Sequence, residues 1–532
     1  MQENCNYGGR TFYQTSGLSD LWNYYFISIS KNCKFSKKLL KQVAMDKKTN
    51  RIILQNIARK AMIARGLEPD FSLAVDAELS KITSPAINKT SLAKDLRDKL
   101  WCSIDNTDSR DLDQLSYAEQ LAENKVRVYV AIADVDALVA EQSDIDNHAS
   151  QNTTSVYTVA RIFPMLPEKL STDLTSLSFD TDRCAIVVEM VAGEDGSVEK
   201  SDVYSAIVRN RAKLNYMSVG SWLEGTGPIP SEITSVEGLA ENIKLQDQVA
   251  QKMKELRYMH GALDFETIEA TPVFDGDTLS EMKVEKKNRA KDLIEDFMIA
   301  SNGSTARFLT GKNFPSIRRV VRVPKRWDRI VELASEHGFT LPAVADSKSL
   351  SEYLKFFNQK DPLHFADMSL SVLKLLGSGE YVMETPGSGT EGHFGLAVKD
   401  YTHSTAPNRR FPDLVTQRLL KSAISGKPVP YQLEQLKQIA SHCTLKEDDV
   451  KKVERQVEKS ANAILLESRI GEEFDAIVSG ASPKGTWIRL FHPHVEGKLV
   501  KGYRGLKVGQ KLKARLIQIN VEQGFIDFEL VK

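Results

Sequence analysis

Four aspartates fall within nine residues, Asp105, Asp108, Asp111 and Asp113, shortly before a strand-like run at 126–132. Carboxylates this close repel one another. Any fold that gathers them must leave them in water or supply a counter-charge. A hard divalent cation such as Mg²⁺ is one such counter-charge, because it takes oxygen ligands. In phosphodiester hydrolysis metal ions activate water and stabilise the leaving oxygen. The alternative is a polar loop built from Asx turns. The spacing is not that of a calcium-binding EF-hand, which needs a central Gly and a terminal Glu.

The chain around the cluster has 532 residues, too many for one ordinary core, so two to four domains are expected. No apolar run is long enough to span a bilayer, and no signal-peptide pattern opens the sequence, so the expectation is a cytoplasmic protein without a membrane partner. Cys5, Cys33, Cys102, Cys184 and Cys443 are scattered and form no CxxC pair, which argues against a disulfide framework or a zinc site. Net charge is zero, but its distribution is uneven. Residues 31–65 hold eleven Lys and Arg against the single acid Asp46, a local balance of 11 − 1 = +10. Such a block suits phosphate binding; its other reading is a solvated helix face.

Residues 1–45 show no periodicity and are expected to be an extension. A basic helical unit is expected over 46–95. Ile52, Ile53, Ile57, Ala61 and Ala64 recur at helical spacing, Gly66 offers a stop, and a second helix fits 72–82. From 96 to 468, strand-like runs at 126–132 and 185–190 mix with helix-like runs at 288–301, 413–424 and 431–468, which predicts an α+β catalytic domain. The tail, 469–532, alternates over 474–479, 487–491, 497–500, 511–519 and 525–530, with glycines between. Five short strands in that length predict an OB-fold β-barrel.

The aspartate segment resembles the catalytic motif of the ribonuclease II/ribonuclease R (RNB) family. That motif has four aspartates, and Asp105, Asp111 and Asp113 match the first three. Further blocks follow in the family's order: residues 130–135, Thr154 to Tyr157, 164–171, Asp182-Arg183, Asn288 with 293–296, His393 to Leu396, Tyr401, 405–414 and Val453-Glu454-Arg455. The resemblance covers about residues 96–532. It implies an RNB-type catalytic domain with a small helical N-terminal unit and a C-terminal barrel of the ribosomal-protein-S-one type. The implied activity is hydrolysis of single-stranded RNA from the 3′ end to nucleoside 5′-monophosphates, with Mg²⁺ or Mn²⁺ as cofactor. By position, Asp105, Asp111, Asp113 and Gln114 would surround the metal. Tyr157 and Phe265 would stack on the last nucleotides, as suits a sequence-blind enzyme. Glu295 and Glu454 would lie near the 3′ end, and Arg409 at the scissile phosphate. Seen alone, these residues read as core aromatics, solvated acids and a salt-bridge arginine.

Two departures stand out. Gln114 occupies the fourth aspartate position, bringing an oxygen but no charge, with Asp108 and Glu119 as nearby carboxylates that could compensate. This opens an alternative: an RNA-binding RNB-like protein with reduced or lost catalysis. A nuclease acting on DNA is a further reading. The second departure is the N-terminus, which has neither the room nor the strand pattern for the family's tandem cold-shock barrels. The basic block could replace them as an RNA grip. Neutralising Lys37, Lys38, Lys41, Lys47 and Lys48 together is then expected to weaken RNA binding and flatten its dependence on salt. Binding unchanged in both respects would assign the block to a solvated face.

Overall fold

The near-continuous apolar runs in the middle of the chain become the centre of a sheet buried on both faces, as such runs require. In the computed structural model, which describes residues 50–86, 93–266, 269–276, 278–285, 287–389, 391–482, 485–506 and 508–531, the strands begin with β1 (Lys94–Asp95), β2 (Cys102–Asp105), β3 (Gln114–Gln120) and β4 (Val126–Ala133). The extension 1–45 and the lysines up to Lys48 lie outside the described residues. A small hairpin, β5 (Val156–Tyr157) and β6 (Ile162–Phe163), precedes the long strands β7 (Asp182–Ala192) and β8 (Val198–Arg209) and the short β9 (Ala212–Asn215). The seven-stranded sheet runs β1-β8-β7-β4-β3-β2-β9. It is antiparallel through its middle and parallel at both edges, β1 with β8 and β2 with β9.

Helices cover the sheet. Leu239–Met259 packs on β3, Arg289–Gly311 on β7 and β8, and Phe411–Ile424 on β8. The second of these starts where Asn288 caps it, its side chain accepting the Lys291 N–H at 3.0 Å. Phe411–Ile424 carries Pro412 and Asp413 in its first turn, where a missing N–H is harmless and a carboxylate complements the helix dipole. Buried charges fix its position. Arg418, whose side chain is 3% exposed, donates to Asp136 at 3.0 Å, Asp146 at 2.8 Å and the Val139 carbonyl at 3.0 Å. Lys421 reaches Asp134 at 2.9 Å and Asp136 at 2.8 Å. The helix is thereby tied to the turn after β4, and its N-terminus is aimed at the aspartate cluster.

The hairpin β10 (Glu269–Asp275) and β11 (Thr278–Glu285) follows the first covering helix. A helical insertion separates β12 (Ser316–Val320) from its antiparallel partner β13 (Glu380–Glu384). Its helices Trp327–Glu336, Ser347–Lys360 and Phe365–Leu376 bury their own apolar cluster around Ile330, Tyr353 and Val372. The 34-residue helix Leu433–Leu466, about 51 Å long at 1.5 Å per residue, acts as a spine. The helix Asn50–Ile63 packs along it, placing Leu54, Ala58 and Met62 in one cluster with Val453 and Val457. The expected N-terminal helices are therefore present, the second as Leu73–Lys81 capped by Ser72, but the first shares its core with the far end of the chain.

The tail closes into the expected barrel. Its strands are β14 (Glu473–Ser482), β15 (Gly485–Leu490), β16 (Glu496–Lys501), β17 (Lys511–Asn520) and β18 (Phe525–Leu530), in the order β14-β15-β16-β18-β17. Gly497 is required there, because a Cβ would collide with the Phe528 ring. The barrel rests on the end of the spine through β17 and β18. No helix among the described residues is long and apolar enough to cross a membrane.

Replacing Arg418 with Met is expected to cost roughly 3–5 kcal/mol, because it leaves the buried carboxylate of Asp146 without its cationic partner. Urea unfolding measures this; a loss below about 1 kcal/mol would show that these pairs do not hold the helix.

Candidate active site at the edge of the sheet

Asp105 is the last residue of β2, a short strand whose other residues, Cys102, Ser103 and Ile104, are fully buried. The chain then leaves the sheet in a loop, with the Ser109 N–H on the Asn106 carbonyl at 3.1 Å. Lys213, from β9, holds this loop by donating to the Ser109 carbonyl at 2.7 Å. The loop is re-anchored at Leu112, whose N–H donates to Ser176 Oγ at 3.0 Å and whose carbonyl accepts the Leu177 N–H at 2.9 Å. Asp113 follows, and Gln114 opens β3 opposite Ile132. The two ends of the loop thus return to neighbouring strands. There Gln114 Nε2 donates to Asp105 Oδ1 at 3.3 Å.

The segment before the helix Phe411–Ile424 closes the other side. Asp113 Oδ1 accepts the Asn408 N–H at 3.1 Å, and Oδ2 accepts Arg409 Nε at 3.2 Å. Asp413 fixes this segment from behind by accepting the Ala406 N–H at 2.9 Å and an Arg410 N–H at 2.7 Å. Thr154 and Ser155 hold the Arg409 carbonyl at 2.9 Å and 3.0 Å. Just beyond them, Tyr157 is 41% exposed. Its hydroxyl lies 3.5 Å from Asp111 Oδ2, and its N–H donates to Glu454 on the spine helix at 2.9 Å.

Asp105, Asp111, Asp113, Gln114, Tyr157, Arg409 and Glu454 therefore form one connected site. Glu295 and Phe265 do not join it through any described contact. Glu295 is exposed and faces Lys287 at 3.6 Å, while Phe265 packs against the apolar cluster of the helical insertion. Glu119, a possible substitute for the missing carboxylate, is committed to Arg127, Lys99 and Tyr129 farther along β3. Asp108 stays exposed on the loop. Sequence reasoning missed Tyr216, which lies near enough to Asp105 and Arg409 to feel both charges. The register of β2 with β9, Asp105 opposite Asn215, puts it there, and no local pattern announces a parallel edge pairing.

The site's electrostatics favour a cation. Asp105 is 8% exposed and Asp113 1%. Burial first, then the charges of Asp113 and Asp111, push Asp105 up to about 7, with Arg409 and Lys213 opposing. Burial likewise pushes Asp113 up to about 7, against Arg409 and the Asn408 N–H. Burial also opposes the charge on Arg409, but Asp113, Tyr157 and Asp111 outweigh it. Burial raises Glu454, with the Tyr157 N–H opposing. Asp105 Oδ2 is buried without a hydrogen-bond donor. Among the described residues no three His, Cys, Asp or Glu side chains stand close enough together to hold a metal ion. The donor set nonetheless fits a hard divalent ion: buried, mutually repelling carboxylates with an orphaned oxygen.

The folded carboxyls hold their protons up to about pH 7, whereas unfolded aspartates release them near 3.8. The folded state then binds more protons, so this pair costs the metal-free protein stability as pH rises from about 4 to about 7. Asp105→Asn is expected to raise the Tm of the metal-free protein at pH 8 and leave it unchanged at pH 4. A lower Tm at pH 8 would contradict this reading.

With the geometry established, comparison with known proteins is informative. Residues 93–426 match the RNB domain, and residues 472–531 match the RNase II-type exonuclease C-terminal S1 domain. The chain is 29% identical over 467 residues to Ribonuclease R 1 of Lactococcus lactis, covering 82% of this chain and 56% of that protein. It is 31% identical over 468 residues to Ribonuclease R of Thermotoga maritima, covering 82% and 65%. The chain thus spans less than two thirds of the length of these relatives. Mycoplasma genitalium RNase R, solved in complex with ribose methylated single-stranded RNA, superposes with a TM-score of 0.81 at 23% identity, covering 90% of this chain and 78% of that one. At that identity the likeness is one of fold.

Proposed function

This chain belongs to the RNB family, and on that premise we propose that it is a 3′-to-5′ exoribonuclease that hydrolyses single-stranded RNA to nucleoside 5′-monophosphates. The carrying observation is the convergence of Asp105, Asp111 and Asp113 with Arg409 and Tyr157 from segments far apart in the chain. RNB-family exoribonucleases depend in general on a divalent metal; here Mg²⁺, or Mn²⁺, would be held by Asp105, Asp111 and Asp113, with Gln114 beside them. A bound divalent ion supplies an activated water and positive charge at the scissile phosphate. Arg409, 42% exposed and held at Nε by Asp113, would present the rest of its guanidinium to the scissile phosphate. Fixed in this way, the guanidinium opposes the negative charge that develops during cleavage without having to reorganise.

Tyr157 supplies a ring for the terminal base, and Glu454 fixes the backbone that carries it. Phe265 serves farther along the strand, on the side of the helical insertion, and Glu295, which faces Lys287, serves near the 3′ end. The barrel adds an RNA-binding surface of the S1 type. A cytoplasmic location fits an enzyme of this kind. The alternative of a binder without catalysis draws no support from relatives that are named as ribonucleases.

Incubation of 5′-labelled single-stranded RNA with the protein and Mg²⁺ or Mn²⁺ is expected to give progressive shortening that Asp113→Asn abolishes. Binding without shortening would instead support the non-catalytic reading, and equal cleavage of DNA would remove RNA specificity. Arg409→Ala is expected to lower kcat about 10²–10³-fold. Gln114→Asp is expected to lower the metal concentration needed for half-maximal rate. An unchanged metal requirement would show that position 114 does not face the ion.

A further inference from the structure

Asp367, on the helix Phe365–Leu376, meets Arg489, on β15, in a two-pronged ion pair. Arg489 Nη1 lies 2.7 Å from Oδ1, and Nη2 lies 2.9 Å from Oδ2. The side chains are only 21% exposed for Arg489 and 18% for Asp367, so the pair is held in a partly covered seam between insertion and barrel. A guanidinium fork binds carboxylate and phosphate in the same bidentate manner.

Arg489 stands where a nucleic acid would pass. β15 is the second strand of the barrel, and strands two and three of OB barrels form the face on which oligonucleotides lie. Thr486, Ile488 and Leu490 of β15 are buried inward, which turns Trp487 and Arg489 outward. On β16, Lys498 lies opposite Trp487. An aromatic ring flanked by two cations suits a single strand of any sequence. The other side of the seam leads toward the aromatic expected to stack on RNA. Two residues after Asp367, Ser369 Oγ accepts the Glu266 N–H at 3.2 Å, and the adjacent Phe265 packs on the same helical cluster. The ion pair therefore stands between the barrel's outer face and the segment that carries Phe265.

Resting on the RNA-degrading reading above, we propose that Asp367 is a placeholder for an RNA phosphate. Its carboxylate holds Arg489 in the free protein, and an incoming single strand takes over the guanidinium on its way from the barrel to Phe265. The exchange replaces one anion with another, so the arginine in the seam is never left unpaired. Breaking the pair subtracts from RNA affinity, which makes Asp367 a restraint on entry.

The test compares Asp367→Asn and Arg489→Met in the full chain, both carrying Asp113→Asn to prevent cleavage. Binding of a labelled oligoadenylate is measured with Mg²⁺ across a salt series, and each variant's Tm is recorded. Asp367→Asn is expected to tighten binding roughly two- to fivefold. Arg489→Met is expected to weaken binding and to reduce the slope of log K against log salt by about 0.7, one phosphate contact on a single strand. With Arg489 already replaced, adding Asp367→Asn is expected to have no further effect. Shifts in the same direction, or none, would make the pair a structural clasp and overturn the proposal. Arg489→Lys, which keeps the charge, is expected to restore part of the affinity; if Arg489→Met lowers the Tm and Arg489→Lys rescues the Tm but not binding, the clasp is again the answer. A parent protein that binds no single-stranded RNA would overturn the RNA reading itself, and the placeholder with it.

Discussion

The bond between the buried carboxylate of Asp113 and the segment at Asn408 and Arg409 joins two stretches of chain 296 residues apart. A carboxylate this deeply buried is costly unless it is paired and hydrogen-bonded. Asp113 meets part of that demand with one backbone N–H and one guanidinium, both from the loop that Asp413 braces, while burial still pushes its carboxyl up to about 7. The arrangement is cooperative. The loop must be built for Asp113 to be tolerated, and the helix Phe411–Ile424 must sit correctly for the loop to be built. Arg418 and Lys421 seat that helix by reaching back to Asp134 and Asp136, just after β4, the strand that pairs with Gln114.

Gln114 takes on a different meaning in this setting. A fourth carboxylate at that point would lie against Asp105, which burial and its neighbours already push up to about 7. The amide donates a hydrogen bond to Asp105 where an aspartate would repel it. It lowers the repulsion around Asp105, and it would also reduce the charge available to any divalent cation held there. Stability of the carboxylate cluster and the proposed affinity for a metal would thus pull in opposite directions at a single side chain.

The periphery follows a similar logic of borrowed cores. The helix Asn50–Ile63 completes its apolar face with residues of the spine helix, and the barrel rests on the spine's far end. The helical insertion is the exception, since it buries a cluster of its own between β12 and β13. It meets the barrel at the partly covered ion pair of Asp367 and Arg489.

Much of this was legible from local pattern. Alternation and glycine spacing predicted all five barrel strands, because a strand with one buried face must alternate and must turn between partners. Helical spacing and caps placed Asn50–Ile63 and Leu73–Lys81 near both ends and helical pattern found the start of Arg289–Gly311, whose expected run of 288–301 stopped ten residues short, and the aspartate spacing identified the loop of the candidate site. Partnership across the chain was not legible. Nothing near Tyr216 shows that it neighbours Asp105, and the helices of the insertion carry no record of where they dock. The physical reason is that periodicity reports which face of an element is apolar, while the identity of the partner depends on register and packing across hundreds of residues. The sequence by itself determined the elements and the residue types able to hold a cation. Only the tertiary structure decided that Asp113 is paired with Arg409, that Gln114 answers Asp105, and that Asp367 holds Arg489, because each pairing exists only once the sheet, the spine and the barrel have closed on one another.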